Sequence, residues 1–158
     1  MTEFDPHSRP VPLYTPEERA RRDASRWTAV QGLLAILQFA VFAVSLALVL
    51  RALWTDQGHA IAAASVVLKT LVLLTIMVTG SIWEREVFGR WLFAPVFFWE
   101  DVVSFAVIAL HLAYCWALLT GALGPAGQLH LALVAYAAYA LNAGQFLLKL
   151  RRARLETA

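Results

Sequence analysis

Residues 27–50 read WTAVQGLLAILQFAVFAVSLALVL and contain no Asp, Glu, Lys or Arg. A helix rises about 1.5 Å per residue, so this stretch would form a helix about 36 Å long. The hydrocarbon core of a bilayer is roughly 30 Å thick, and an uncharged apolar run of this length is typical of a membrane-spanning helix. We therefore predict that residues 27–50 cross a membrane.

Three further apolar runs follow, at about 60–83, 102–123 and 129–148. Of the 158 residues, 60% are hydrophobic, and the mean hydropathy is +0.63. An ordinary soluble domain is less apolar than this. The sequence therefore predicts an all-α fold, an integral membrane four-helix bundle whose transmembrane domain covers residues 27–148.

Basic residues flank the apolar runs almost entirely on one side, since the other side has only Arg51 in one loop and no charge in the loop 121–128. Because Arg and Lys are enriched in cytoplasmic loops, we predict that both termini are cytoplasmic and that residues 149–158 form a basic cytoplasmic tail. The residues behind this orientation are Arg9, Arg19, Arg21, Arg22 and Arg26 before the first run, Arg85 and Arg90 after the second, and Lys149, Arg151, Arg152 and Arg154 after the fourth.

Residues 1–26 are predicted to form a cytoplasmic arm. Three prolines within residues 1–14 favour an extended, mobile chain. Thr15, Pro16 and Glu18 then follow the capping-box pattern, which predicts that a short surface helix starts here. Acidic residues precede the first apolar run, so a cleaved signal peptide is not expected.

The composition also excludes several function classes. With Cys115 as its only cysteine, the chain has no internal disulfide and no thiolate metal cluster of its own, and we predict no metal site. The formal charge of +2 and the lack of interleaved basic and aromatic residues argue for lipid, and against nucleic acid, as the partner of the basic termini. No P-loop, nucleophile elbow, dinucleotide fingerprint or HExxH motif supports a hydrolase or an oxidoreductase.

Two ionisable residues fall near the middle of predicted spans. An ammonium at this depth costs a few kcal/mol, so Lys69 should face the bundle interior, and a functional role is the default hypothesis. His111 lies at a similar depth in the antiparallel third span, and the two side chains could line one polar cavity. Structural hydrogen bonds between helices are the alternative for both residues.

The third predicted helix carries a polar face. Glu100, Ser104, Val107 and His111 share it, since steps of four, seven and eleven residues return to nearly the same angle. This face is a candidate proton path. Asp101 points elsewhere, and its more ordinary role is to cap the helix start.

The first predicted span carries a second polar stripe. Gln31, Gln38 and Ser45 recur there every seven residues. Such a stripe more often joins helices than forms a site, so we expect it to contact neighbouring helices.

The connector 84–101 combines aromatic residues with an acidic rim. It is predicted to lie at headgroup depth, although an ordinary aromatic belt with charged flanks explains the same residue types. The aromatic residues are Phe88, Trp91, Phe93, Phe97, Phe98 and Trp99, and the acidic residues are Glu84, Glu86, Glu100 and Asp101.

Three stretches resemble the 3-vinyl bacteriochlorophyllide hydratase family: PLYTPEERARRDAS (12–25), LKTLVLLTIMVTGSIWEREVFGRWLFAPVFFWEDVVS (68–104) and NAGQFLLKLR (142–151). The resemblance covers nearly the whole chain, and its most distinctive segment is FGRWLFAPVFFWED. It implies that the protein adds water to the 3-vinyl group of chlorophyllide a or a bacteriochlorophyllide and gives a 3-(1-hydroxyethyl) group.

The resemblance also implies a multi-pass protein of the bacterial inner, photosynthetic membrane. No cofactor is expected, because the magnesium belongs to the tetrapyrrole substrate. The expected partners are the pigment, water and membrane lipid. A homo-oligomer and contacts with other pigment-biosynthesis enzymes both stay open.

For this reaction we expect a carboxylic acid to protonate the terminal vinyl carbon and a held water to attack the inner carbon. The acid must hold its proton near neutral pH, which burial and a neighbouring carboxylate favour. Glu100, beside Asp101, is expected to meet both conditions, with Glu84 and Glu86 as alternatives. His111 is expected to accept the proton of the water or to ligate the magnesium of the pigment.

Such a substrate is a flat apolar macrocycle with one free propionate. We expect Arg85 or Arg90 to hold the propionate, and Trp91, Phe97 and Trp99 to stack on the ring.

Two other functions fit the residues without the resemblance. One is a non-catalytic membrane protein for pigment binding or photosystem assembly, in which His111 ligates magnesium. The other is a small transporter subunit, which the lack of an internal repeat weakens.

Overall fold

The computed structural model describes residues 12–155, and its regular elements in this range are five helices. Residues 1–11 of the predicted arm and 156–158 of the predicted tail lie outside the described residues. The helices are α1 (Pro16–Ala24), α2 (Arg26–Thr55), α3 (His59–Phe88), α4 (Phe98–Thr120) and α5 (Gly124–Leu155).

Helix α1 begins with the predicted capping box. The Thr15 N–H donates to Glu18 Oε2 at 2.9 Å, and the Glu18 N–H donates to Thr15 Oγ1 at 3.2 Å. Ser25 alone separates α1 from α2, and its hydroxyl donates to Glu86 Oε2 at 2.5 Å. This bond ties the α1–α2 junction to the end of α3.

The other four helices, α2 to α5, are each long and apolar enough to cross a membrane, which confirms the prediction of an all-α, multi-pass membrane protein. Helix α3 has 30 residues and is therefore about 45 Å long, well above the roughly 30 Å of hydrocarbon. Its apolar segment 60–83 can span that layer, while the charged residues from Glu84 onward extend beyond it.

Helix α4 differs from its predicted span at both ends. It begins at Phe98, four residues before the predicted 102, and ends at Thr120. Gly121 follows with φ 71°, a left-handed conformation that glycine adopts without steric cost. The apolar segment of this helix starts at Val102, so we expect Asp101 to lie just outside the hydrocarbon layer.

The helices form an antiparallel bundle in which α2 packs mainly on α3 and α4 mainly on α5. Contacts of α2 with α5 and of α3 with α4 close the bundle. We call the end where α2 and α4 begin and α3 and α5 finish the charged end. Its predicted orientation toward the cytoplasm stays a prediction.

Polar residues of α2 join the helices, as predicted from their seven-residue repeat. Gln31 Nε2 donates to Thr79 Oγ1 on α3 at 2.7 Å. The Ser45 hydroxyl lies 2.6 Å from the Ser65 hydroxyl on α3 and 2.5 Å from Tyr136 Oη on α5. These bonds fix the register of three helices where no water competes for them.

Candidate active site at the charged end

Residues 89–97, which we call the connecting loop, join α3 to α4 at the charged end. Gly89 ends α3 with φ 77°, and its N–H donates to Arg85 O at 2.9 Å. Phe93 also has a positive φ, 58°, which is uncommon for a bulky residue. The irregular segment is therefore half as long as the predicted connector 84–101, because both helices extend into it.

Two buried carboxyl groups, Glu84 and Asp101, hold the connecting loop against the bundle, and we call them the carboxyl pair. The Ala94 N–H donates to Glu84 Oε2 at 3.1 Å, and the Phe93 N–H donates to Asp101 Oδ2 at 2.8 Å. The two acidic residues are only 5% and 3% exposed. Each therefore satisfies a loop donor that would otherwise be buried without a partner.

The structure corrects the capping role suggested for Asp101. The N-cap residue of α4 is Phe97, which makes no side-chain capping bond. Because α4 starts earlier than predicted, Asp101 lies in its first turn, and its carboxylate turns back to the loop instead.

The carboxyl pair is an acid–base unit by its geometry. The two carboxyl groups accept from the consecutive N–H groups of Phe93 and Ala94, which brings them close together, and a hydrogen bond between them requires one of them to carry a proton. Burial is the main cause that raises the pKa of Glu84, and the Asp101 carboxyl adds to the rise. Burial likewise raises the pKa of Asp101. The pair can thus keep a shared proton at a pH where exposed carboxyls are ionised.

Glu100, the acid favoured from the sequence, forms an ion pair. Lys149 Nζ on α5 donates to Glu100 Oε2 at 2.6 Å and also to the carbonyl of Val96 in the connecting loop. Glu100 is 6% exposed. Glu100 therefore has a cationic partner, whereas Glu84 forms no ion pair within residues 12–155.

The predicted polar face of α4 is confirmed, since Glu100, Ser104, Val107 and His111 are all buried in the bundle. Ser104 Oγ donates to the Glu100 carbonyl at 2.8 Å and accepts from Asn142 Nδ2 at 2.7 Å. Polar contacts therefore extend from the charged end into the bundle, between the buried face of α4 and the neighbouring helix α5.

Lys69 and His111 lie together in the middle of the bundle, both fully buried. Lys69 Nζ donates to Gln38 Oε1 and sits 3.5 Å from the centre of the Tyr139 ring, a cation–π contact. His111 Nδ1 is 2.8 Å from the Val107 carbonyl, so it carries the proton, and Nε2 keeps its lone pair.

Eleven residues separate Glu100 from His111, which corresponds to about 16 Å along α4. Lys69 and His111 thus form an interior site apart from the carboxyl pair. Among residues 12–155, His111 Nε2, Gln38 Nε2 and Asn142 Oδ1 are buried without a hydrogen-bond partner.

The aromatic residues of the rim divide into two groups. Phe97 is 3% exposed and packs in a buried cluster with Tyr14 and Val87, so it is not available to stack on a ligand. Trp91 and Trp99 are 54% and 69% exposed and can do so.

The two arginines proposed for the propionate lie on the same outer side. The Arg85 guanidinium covers the Trp91 ring at 4.3 Å, while Arg90 is exposed in the connecting loop.

Sequence reasoning missed Lys149 as a part of this end. Lys149 was read only as part of the basic tail, although it lies seven residues after Asn142 and hence on the same face of one helix. Helix α5 runs through both residues to Leu155. The spacing was the available signal, but the partner of each residue required the structure.

Comparisons with known proteins agree with the sequence resemblance. A family model described as 2-vinyl bacteriochlorophyllide hydratase (BCHF) matches residues 14–152. A 2-vinyl bacteriochlorophyllide hydratase of Cereibacter sphaeroides is 65% identical over 152 residues, 96% of this chain and 92% of that protein. One of Rhodobacter capsulatus is 63% identical over 146 residues, 92% and 85% of the two chains. No solved structure matches the chain.

We predict that Asp101→Ala loosens the connecting loop. The Phe93 N–H loses its acceptor, and the positive φ of Phe93, which costs about 1–2 kcal/mol, is no longer compensated. Limited trypsin cleavage after Arg90 should then speed up by about tenfold while the bundle stays folded. Asp23→Ala is the control, since Asp23 is exposed on α1 and pairs with its neighbour Arg22, away from the connecting loop. An unchanged cleavage rate at Arg90 would show that Asp101 does not hold the loop.

Proposed function

The chain belongs to the 2-vinyl bacteriochlorophyllide hydratase family and is a hydratase of bacteriochlorophyll biosynthesis, and we propose that the carboxyl pair carries its chemistry. In the current numbering of the macrocycle this vinyl group is the 3-vinyl group. The proposed reaction adds water to it on chlorophyllide a or a bacteriochlorophyllide and gives the 3-(1-hydroxyethyl) derivative.

The proposed steps need one proton donor and one proton acceptor close together. Glu84 gives its proton to the terminal vinyl carbon, which becomes a methyl group and leaves a cation delocalised into the macrocycle. A water molecule attacks the inner carbon, and the Asp101 carboxylate accepts the proton that this water releases. The pair begins and ends with one shared proton, so no net acid or base is consumed.

The single observation behind this proposal is the placement of two buried carboxyls on the consecutive N–H groups of Phe93 and Ala94 at the charged end. Neighbouring carboxyls that share one proton are a recurrent acid–base arrangement in enzymes. No redox change occurs, since hydration only adds the elements of water, and we propose that the protein needs no cofactor. The magnesium of the pigment is part of the substrate.

We propose that the macrocycle lies at the inner leaflet against the exposed rings of Trp91 and Trp99. Its vinyl group can reach the carboxyl pair only when the connecting loop shifts, because the two acids, bonded to Phe93 and Ala94, are only 5% and 3% exposed. The protein would act in the bacterial inner membrane with both termini in the cytoplasm, as the distribution of arginine and lysine favours.

The interior site supports a second function for the same molecule. The lone pair of His111 Nε2 has no partner within residues 12–155, and an imidazole of this kind ligates the magnesium of a tetrapyrrole. Its distance from the carboxyl pair argues against contact with the reacting vinyl group. Lys69 beside it would then position His111 or internal water.

We predict that Glu84→Gln lowers kcat by about 10²–10⁴-fold, since an amide of the same shape cannot supply the proton. In the wild type, kcat/KM should fall as pH rises through the raised pKa of the pair, because the acid must be protonated. Conversion of vinyl to hydroxyethyl pigment in proteoliposomes measures both effects. Glu17→Gln on the exposed face of α1 is the matched control. Near-normal hydration by folded Glu84→Gln would remove the proposed acid.

We also predict that His111→Gln hydrates pigment within about tenfold of the wild-type rate, because no step above uses His111 directly. Glu100→Gln should likewise lose less activity than Glu84→Gln, since its amide oxygen still accepts from Lys149. A folded His111→Gln variant without hydratase activity would place the base in the bundle interior. A shift in the magnesium-sensitive absorption of bound pigment would instead support the ligand role.

A further inference from the structure

A pocket of about 350 Å³ opens at the charged end between α5, the start of α4 and the segment before α1. Its lining includes Glu100, Gln145, Leu148, Lys149 and Arg152. The carboxyl pair does not line it, but Lys149, which does, donates to Glu100 and to the Val96 carbonyl of the connecting loop that the pair holds.

The polar part of the pocket has an excess of positive charge. Lys149 uses two donors on Val96 and Glu100, which leaves the third ammonium hydrogen. Arg152 makes no ion pair or hydrogen bond within the described part of the chain. The Gln145 amide adds a further donor. Two cations and one carboxylate therefore leave a net charge of about +1 facing the opening.

The remaining wall is apolar. Leu148 lies on α5, and Leu13 closes the opposite side. A pocket with hydrophobic sides and an unpaired guanidinium at its mouth fits an anionic oxyacid group attached to an apolar body. Both a tetrapyrrole propionate and the phosphate of a lipid have this chemistry.

We infer that this pocket binds the propionate of the tetrapyrrole substrate, with Arg152 as its main contact. The inference rests on the proposed function, because it assumes that a pigment with a free carboxylate is the substrate. We favour the pigment over a lipid as the ligand of this pocket, because Lys149 links the pocket to the connecting loop that the carboxyl pair holds. The Arg152 guanidinium can also donate two parallel hydrogen bonds to a carboxylate, whereas the Arg85 guanidinium is stacked on Trp91.

The test compares chlorophyllide a with its methyl ester, which differs only in lacking the negative charge. Binding to the full chain in nanodiscs of neutral lipid is measured by quenching of pigment fluorescence, which does not depend on turnover. We expect wild type to bind the free acid about tenfold more tightly than the ester. Arg152→Gln should bind both forms about equally, with the ester affinity unchanged.

Arg151→Gln is the matched control, since it makes the same charge change one position away on α5 and outside the pocket. It should keep the preference for the free acid. If Arg152→Gln keeps the wild-type preference for the free acid, another residue such as Arg90 holds the propionate, and the inference is overturned. If nanodiscs with anionic lipid weaken pigment binding only in the wild type, while the preference in neutral lipid survives in Arg152→Gln, the pocket binds lipid.

These outcomes are separable from the proposed reaction. A wild-type protein that binds the free acid preferentially but forms no hydroxyethyl pigment contradicts the reaction and leaves the pocket assignment intact. Hydration by wild type with an unchanged acid preference in Arg152→Gln contradicts the pocket assignment alone.

Discussion

The structure depends on how buried polar groups are satisfied at the edge of a membrane, and the carboxyl pair is where this constraint is strictest. A helical hairpin that crosses lipid needs a turn, and the backbone of that turn must find partners. Glu84 and Asp101 supply them by accepting the N–H groups of Ala94 and Phe93. The same burial that makes these bonds structural also favours a proton on the pair. One arrangement thus closes the connecting loop and creates a proton donor and acceptor.

The other charged residues have roles that differ from this double role of the carboxyl pair. Lys149 neutralises Glu100 and holds the Val96 carbonyl, so it fixes the loop from the α5 side. No cation forms an ion pair with the carboxyl pair within residues 12–155, and the pair can exchange a proton. Deeper in the bundle, Lys69 and His111 belong to a separate polar interior, about three turns of α4 away. A site at the membrane boundary also gives an apolar pigment and bulk water access to the same place.

Much of the fold and part of the candidate site could be predicted from the sequence, and the rest could not be predicted for physical reasons. Length and lack of charge identified four membrane-spanning helices, and the seven-residue repeat of Gln31, Gln38 and Ser45 predicted their interhelical bonds. The capping box at Thr15 was equally clear, because it is a local pattern. The start of α4 was misplaced, since charged residues within its first turn resemble a connector when burial is unknown. The partners of Asp101 and Lys149 come from other segments of the chain, so sequence spacing could not give them.

The central claim is that one proton is shared by Glu84 and Asp101 in the folded protein at neutral pH. Infrared difference spectroscopy of the protein in lipid, titrated between acidic and alkaline pH, measures it through the C=O stretch of a protonated carboxyl. The account predicts a protonated carboxyl band that persists at pH 7 in the wild type, disappears in Glu84→Gln and shifts in frequency in Asp101→Asn, where the buried Glu84 loses its carboxylate neighbour. A wild-type protein with no such band at neutral pH, or a band unchanged in both variants, would contradict it.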